Sequence, residues 1–197
     1  MKYHENAYFV TLTYDDDHLP YNLLDPVGPD QAAALINTLR AKDLQDFWKR
    51  LRKNTGQKIM YFACGEYGSK TWRPHYHAIV YDLKLDDLVL WSKNDYNQPL
   101  YRSERLEFCW HNGMVIVGEA TKESIEYVAR YTCKKAFDQM REIHIEENNM
   151  EPEFIRMSRR PAIGRQYYLD HYRYLNHFGH AYLLYIMTQK RYIIYIT

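Results

Sequence analysis

Two histidines one residue apart, in Arg73-Pro74-His75-Tyr76-His77, run straight into the apolar stretch Ala78-Ile-Val-Tyr81, and this junction constrains the fold more than any other part of the chain. A short apolar run of this kind reads as a strand, and a strand turns alternate side chains to the same face. His75 and His77 then project from one face, with Tyr76 on the other. A preceding run, Tyr61 to Glu66, forms the second strand of a pair joined through Gly68 and the polar segment Ser69 to Arg73. Two imidazoles on one face have good spacing for sharing a divalent ion. Taken alone, a His-x-His pair is also found on ordinary surface or core strands.

A second pattern adds to the first. Thr121 to Lys135 reads as a helix with Thr121 as its N-cap and Ser124, Ile125, Val128 and Ala129 inside it. Positions 127, 131 and 134 follow an i, i+4, i+7 stripe, which puts Tyr127, Tyr131 and Lys134 on one helix face. The plain alternative is an aromatic core stripe ending in a basic turn that complements the helix dipole. A phenol titrates near 10, so it attacks phosphorus at neutral pH only when its oxygen is positioned and its charge stabilised. Two imidazoles, a carboxylate and a divalent ion can polarise a phosphate oxygen, and a lysine can offset negative charge.

Phe9-Val-Thr-Leu-Thr-Tyr14, Pro74-His75-Tyr76-His77 and Tyr127-Val-Ala-Arg-Tyr131-x-x-Lys134-Lys135 together resemble, in order, the three motifs of the HUH endonucleases that initiate rolling-circle replication. The resemblance is nearest to the initiators of small single-stranded DNA phages of the Microviridae, the gokushovirus group especially. Cys64-Gly65-Glu66-Tyr67-Gly68, the segment Asp43 to Lys53 and Met157-Ser-Arg-Arg-Pro161 extend it over roughly residues 7 to 165. It implies an α+β fold with a ferredoxin-like or RRM-like antiparallel sheet and flanking helices. It assigns His75, His77 and Glu66 to a divalent metal, Mg²⁺ or Mn²⁺, and Tyr127 and Tyr131 to the nucleophile roles, with Lys134 beside them. The implied activity is site-specific nicking and strand transfer through a 5′-phosphotyrosine, at a single-stranded viral DNA origin in the host bacterial cytoplasm, with host helicase and polymerase as partners. The alternatives are a noncatalytic single-stranded nucleic-acid-binding protein on the same fold and a zinc-stabilised module. For zinc, a fourth protein ligand and paired cysteines are missing.

Further candidates for DNA contact are Thr11 and Thr13 on the first strand, Lys135 after the tyrosine helix, and Arg159 and Arg160 in a late basic cluster. β propensity alone also explains the threonines. The net charge of +1 carries no global nucleic-acid signal, so only local clusters count. Tyrosine is abundant, 20 residues of 197. Aromatic faces stack on unpaired bases for about 1–3 kcal/mol each, although core filling uses the same residues. Asp15 to Asp17 read as a solvated turn. Three widely spaced cysteines, Cys64, Cys109 and Cys133, fit a reduced protein better than a disulfide framework.

The remaining elements are expected as a strand at 7–14, a loop carrying Pro20, Pro26 and Pro29, a helix from about Pro29 to Asn54, and strands at 58–66 and 74–82. A short helix near 84–91, a loop and a strand near 113–118 then lead to the tyrosine helix. Residues 1–135 are expected to form the catalytic domain, and 136–197 a partly helical or irregular extension. Its ending, Arg191-Tyr-Ile-Ile-Tyr-Ile-Thr197, is either a last strand or the end of a shortened reading frame. No signal peptide, membrane span or Walker-type phosphate loop is expected.

Overall fold

Alternation along the first strand decides how the sheet is covered. In β1 (Ala7–Thr13), Val10 and Leu12 are wholly buried on one face, while Phe9 and Thr11 turn to the other. β4 (Met60–Tyr67) and β5 (Pro74–Tyr81) form the hairpin that carries the histidines, and β1 pairs with β5 so that Thr11 lies opposite His77 and Thr13 opposite His75. The computed structural model describes residues 3–24, 33–134 and 139–177, the side chains of 131–134 and 174–177 excepted. These fall into two units divided after Ile163. The second contributes α5 (Arg165–His177).

The first unit holds a seven-stranded sheet in the order β6-β7-β8-β1-β5-β4-β9, antiparallel at every pairing. The strands not yet named are β6 (Leu88–Lys93), β7 (Pro99–Ser103), β8 (Val115–Glu119) and β9 (Phe154–Met157). A separate two-stranded sheet pairs β2 (Tyr21–Leu24) with β3 (Ala34–Asn37). The expected α+β class, a large antiparallel sheet with flanking helices, is what the chain adopts, and it is consistent with the HUH endonuclease fold.

One face of the sheet is closed by α1 (Ala41–Thr55) and α2 (Glu104–Trp110). Leu44, Phe47, Trp48 and Leu51 recur at helical spacing and are wholly buried, packing with Val10, Leu12, Tyr76 and Val80. Each of those side chains contributes roughly 1.5–3 kcal/mol by leaving water. At its start α1 has no side-chain cap, and the Arg40 N–H instead donates to the Tyr76 hydroxyl at 3.0 Å. It stops at Gly56, whose φ of 67° fits the left-handed C-cap. The opposite face carries α3 (Lys122–Lys134), over a smaller cluster of Cys64, Ile79, Tyr81, Ala120 and Val128. Thr121 caps it as expected, its hydroxyl accepting from the Ser124 N–H at 3.3 Å. At the β8 end of β1, Gly113 stands where a Cβ would lie 2.5 Å from the Thr13 carbonyl oxygen, so only glycine fits.

The structure corrects three expected elements. The helix from Pro29 to Asn54 begins only at Ala41; part of the segment before it is β3, held by pairing with β2. The short helix at 84–91 is instead the approach to and first part of β6, because Asp87 faces Ser103 and the Arg105 N–H and β6 pairs with β7. The loop after it contains β7 and α2. The segment after Lys135 adds α4 (Gln139–Glu147) and β9, which pairs with β4 at the edge of the sheet. Residues 191–197 and Lys135 lie outside the described residues. Among the described residues, no helix is long and apolar enough to cross a membrane.

Candidate metal centre

The β4–β5 register brings three ligand types to one end of the hairpin. Glu66 pairs with His75 and Cys64 with His77, so Glu66, His75 and His77 share a face and an end of the sheet. Gly65 makes room on the reverse face, where a Cβ would come within 2.9 Å of the Phe154 ring.

Glu66 Oε1 is the focus of the site. His75 Nε2 lies 3.0 Å from it and His77 Nε2 2.9 Å. The Tyr127 hydroxyl, reaching down from α3, donates to the same oxygen at 3.0 Å. One ligand atom from each of Glu66, His75 and His77 lies within 4.8 Å of the others. The far sides of both rings are tied: His75 Nδ1 donates to the Arg73 carbonyl at 3.1 Å, and His77 Nδ1 lies 2.9 Å from the Thr11 hydroxyl. Partners of this kind fix the tautomer and aim the Nε2 lone pairs at a common point. Two imidazoles and a carboxylate on one side leave the other side open, the pattern of a divalent-ion site that also takes a substrate oxygen. The residues therefore fit a divalent metal.

Electrostatics matches this reading. Burial opposes the ionised form of Glu66, but the bonds from His75 and His77 outweigh it and carry its carboxyl down to about 2. Burial also opposes charging of both histidines. At His75 the Glu66 bond prevails and raises the pKa; at His77, only 9% exposed, burial prevails and lowers it. Tyr127 is pushed well above the usual phenol range, first by burial and then by the Glu66 charge. A cation at the focus would reverse the second of these effects. The Tyr127 ring stands edge-on to His77, with centroids 5.3 Å apart, and Phe9 stacks on His77 at the same distance. With 40% of its surface exposed, Tyr127 is reachable from solvent.

The remaining candidates are placed less centrally. Thr11 holds a histidine, and the Thr13 hydroxyl donates to the Met114 carbonyl at 3.2 Å. Arg159 and Arg160 follow β9 where Ser158 bonds Tyr61, five residues along β4 from Glu66 and so roughly 17 Å away. The structure does not gather them at the centre. Tyr131 and Lys134 lie on the α3 backbone, but their side chains are outside the described residues. Sequence reasoning missed Phe9 and the Arg73 carbonyl. Phe9 is two residues from Thr11, so it shares its face, but only the register with β5 shows that the face meets His77.

Residues 7–136 match the family model of the replication-associated protein ORF2 type. The chain is 37% identical over 168 residues to "Replication-associated protein ORF2" of Spiroplasma virus 4, covering 84% of this chain and 48% of that protein. It is 31% identical over 173 residues to "Replication-associated protein VP4" of Bdellovibrio phage phiMH2K, covering 84% and 50%. With "Replication-associated protein ORF4" of Chlamydia phage 1 it shares 37% identity over 140 residues, 67% of this chain and 31% of that one. The chain thus spans half or less of the length of these relatives. No solved structure matches it. The matched span takes in β1, the β4–β5 hairpin and α3, the elements that build the centre, and on it the chain belongs to the replication-associated protein ORF2 family.

Proposed function

We propose that this chain is the nicking and strand-transfer module of a phage replication initiator, acting on a single-stranded DNA origin at the start of rolling-circle replication. One observation carries the reading: the Tyr127 hydroxyl and the Nε2 atoms of both histidines converge on a single oxygen of Glu66. A candidate nucleophile and a candidate metal site therefore occupy one place.

In this mechanism His75, His77 and Glu66 hold Mg²⁺ or Mn²⁺, which polarises a non-bridging oxygen of the scissile phosphate. Tyr127 gives up its proton and its oxygen forms a bond to phosphorus. The bond from phosphorus to the 3′ oxygen breaks, and that oxygen leaves as a 3′-hydroxyl after taking a proton. The 5′ phosphate stays on the tyrosine as an ester. Because one phosphodiester replaces another, the 3′-hydroxyl can reverse the step without ATP. Tyr131, one helical turn further along α3, is placed by its spacing to serve as the second nucleophile, and Lys134 to neutralise phosphate charge. Host helicase and polymerase would extend the freed 3′ end in the bacterial cytoplasm.

The test is a denaturing-gel assay for a covalent protein–DNA adduct on origin-strand oligonucleotides, with Mn²⁺ or EDTA. We expect an Mn²⁺-dependent adduct that disappears in the Y127F/Y131F double variant; the single variants then tell which tyrosine cuts first. A folded protein that binds the strand and never forms an adduct would instead be a noncatalytic binding protein on the same fold.

A further inference from the structure

Beyond the end of the family match, α4 and β9 close on the hairpin that carries the metal ligands. The β9 ladder runs from Met157 opposite Phe62 to Phe154 opposite Gly65. Continued in register, it would set Pro152 opposite Tyr67, and a proline has no N–H for the ladder. Two side chains take its place. The Tyr67 N–H donates to Glu153 Oε1 at 2.9 Å, and Arg141 Nη2 donates to the Tyr67 carbonyl at 2.6 Å. The triangle is closed by Arg141 and Glu153 themselves, also 2.6 Å apart. Glu66 thus sits between Gly65, fixed by the last rung of the ladder, and Tyr67, fixed by this clamp.

Arg141 has a third contact. Its guanidinium lies over the Trp72 ring, 4.7 Å from the centroid, and His144, one turn further along α4, packs on the same ring at 4.0 Å. Trp72 belongs to the loop between β4 and β5 and has a φ of 52°, a left-handed conformation unusual for a bulky residue. The next residue is Arg73, whose carbonyl orients His75. One helix therefore grips the hairpin on both sides of its loop, beside the carboxylate ligand and before the first histidine.

We infer that Arg141, paired with Glu153, is a positioning residue that holds Glu66 and His75 in ligating geometry. This rests on the metal reading proposed above. The test is Mn²⁺ affinity, read from the spectroscopic signal of free Mn²⁺, for wild type, Arg141→Gln, Arg141→Lys and Leu106→Ala, the last a core variant on the opposite face. Charge alone predicts that removing a cation near a metal site tightens binding. Positioning predicts the reverse: R141Q binds at least about 10-fold more weakly, as outer-shell partners usually do when lost. R141K keeps the charge without the planar fork and also weakens binding, which carries the test if R141Q does not fold. L106A loses thermal stability and keeps its affinity. Wild-type Mn²⁺ binding with R141Q and R141K unimpaired overturns the clamp alone. Absence of wild-type Mn²⁺ binding overturns the metal reading together with the clamp, so the two failures are distinguishable.

Discussion

Tyr76 and Tyr127 are both phenols raised above their ordinary range with burial as the main cause, yet they serve opposite ends. Tyr76 lies between the two histidines on β5 and points into the α1 face. It meets the Tyr14 hydroxyl at 2.7 Å, donates to the Arg40 carbonyl at 3.0 Å and is wholly buried. Tyr127 comes from the other face, partly open to solvent, and meets a carboxylate. A single residue step along one strand therefore separates groups that hold the fold from groups arranged for chemistry. The packing face can be rigid and fully satisfied while the other keeps an acidic, converging site, because the pleat insulates one from the other.

Breaking each face in turn sharpens that contrast. The largest effect is expected from His77→Ala, which should lose more than about 100-fold in Mn²⁺ affinity, beyond the range for outer-shell partners, with little change in melting temperature. Tyr76→Phe should do the reverse. It strands the Arg40 N–H and the Tyr14 hydroxyl, so denaturant unfolding should show a loss of about 1–3 kcal/mol with Mn²⁺ affinity nearly unchanged. If Tyr76→Phe weakened Mn²⁺ as much as His77→Ala, the two faces would not be independent. The smallest effect is a pH dependence in metal-free protein. The Glu66 carboxyl is held down to about 2 against an ordinary value of 4.5, so its contribution to stability is fully present above 4.5 and is lost as pH falls toward 2. The stability gap between wild type and Glu66→Gln should therefore narrow on acidification over that window; a constant gap would mean that the carboxylate is not held by the histidines.

The elements legible in the sequence were those whose pattern is local. β1, β4, β5 and α3 announce themselves by period-two or helical spacing, and the His-x-His pair, Glu66 and Tyr127 lie on them. What escaped depends on distant pairing or short length. β6 was hidden because Leu85, Leu88 and Val89 suit a helix face as well as a strand, and the decision falls to β7 across a turn where Asn97 adopts a φ of 61°. α2 has seven residues, too few for periodicity to speak, and is set by Ser103, whose hydroxyl accepts from the Leu106 N–H. Thr11 was read as a DNA contact, while its tie to His77 spans 66 positions and follows only from the register of β1 on β5.

The place of β9 at the sheet edge has a consequence for the order in which the protein is made. The β4–β5 hairpin forms from neighbouring residues, but the strand that covers its outer edge lies nearly one hundred residues further on. At about 5–20 residues per second, a ribosome takes roughly 5–20 s to supply it. During that interval the nascent chain presents β4 as an open edge, free to template pairing with another strand. The carboxylate strand thus matures last, and a slow or stalled ribosome between residues 67 and 154 leaves the histidines assembled before their acidic partner is secured.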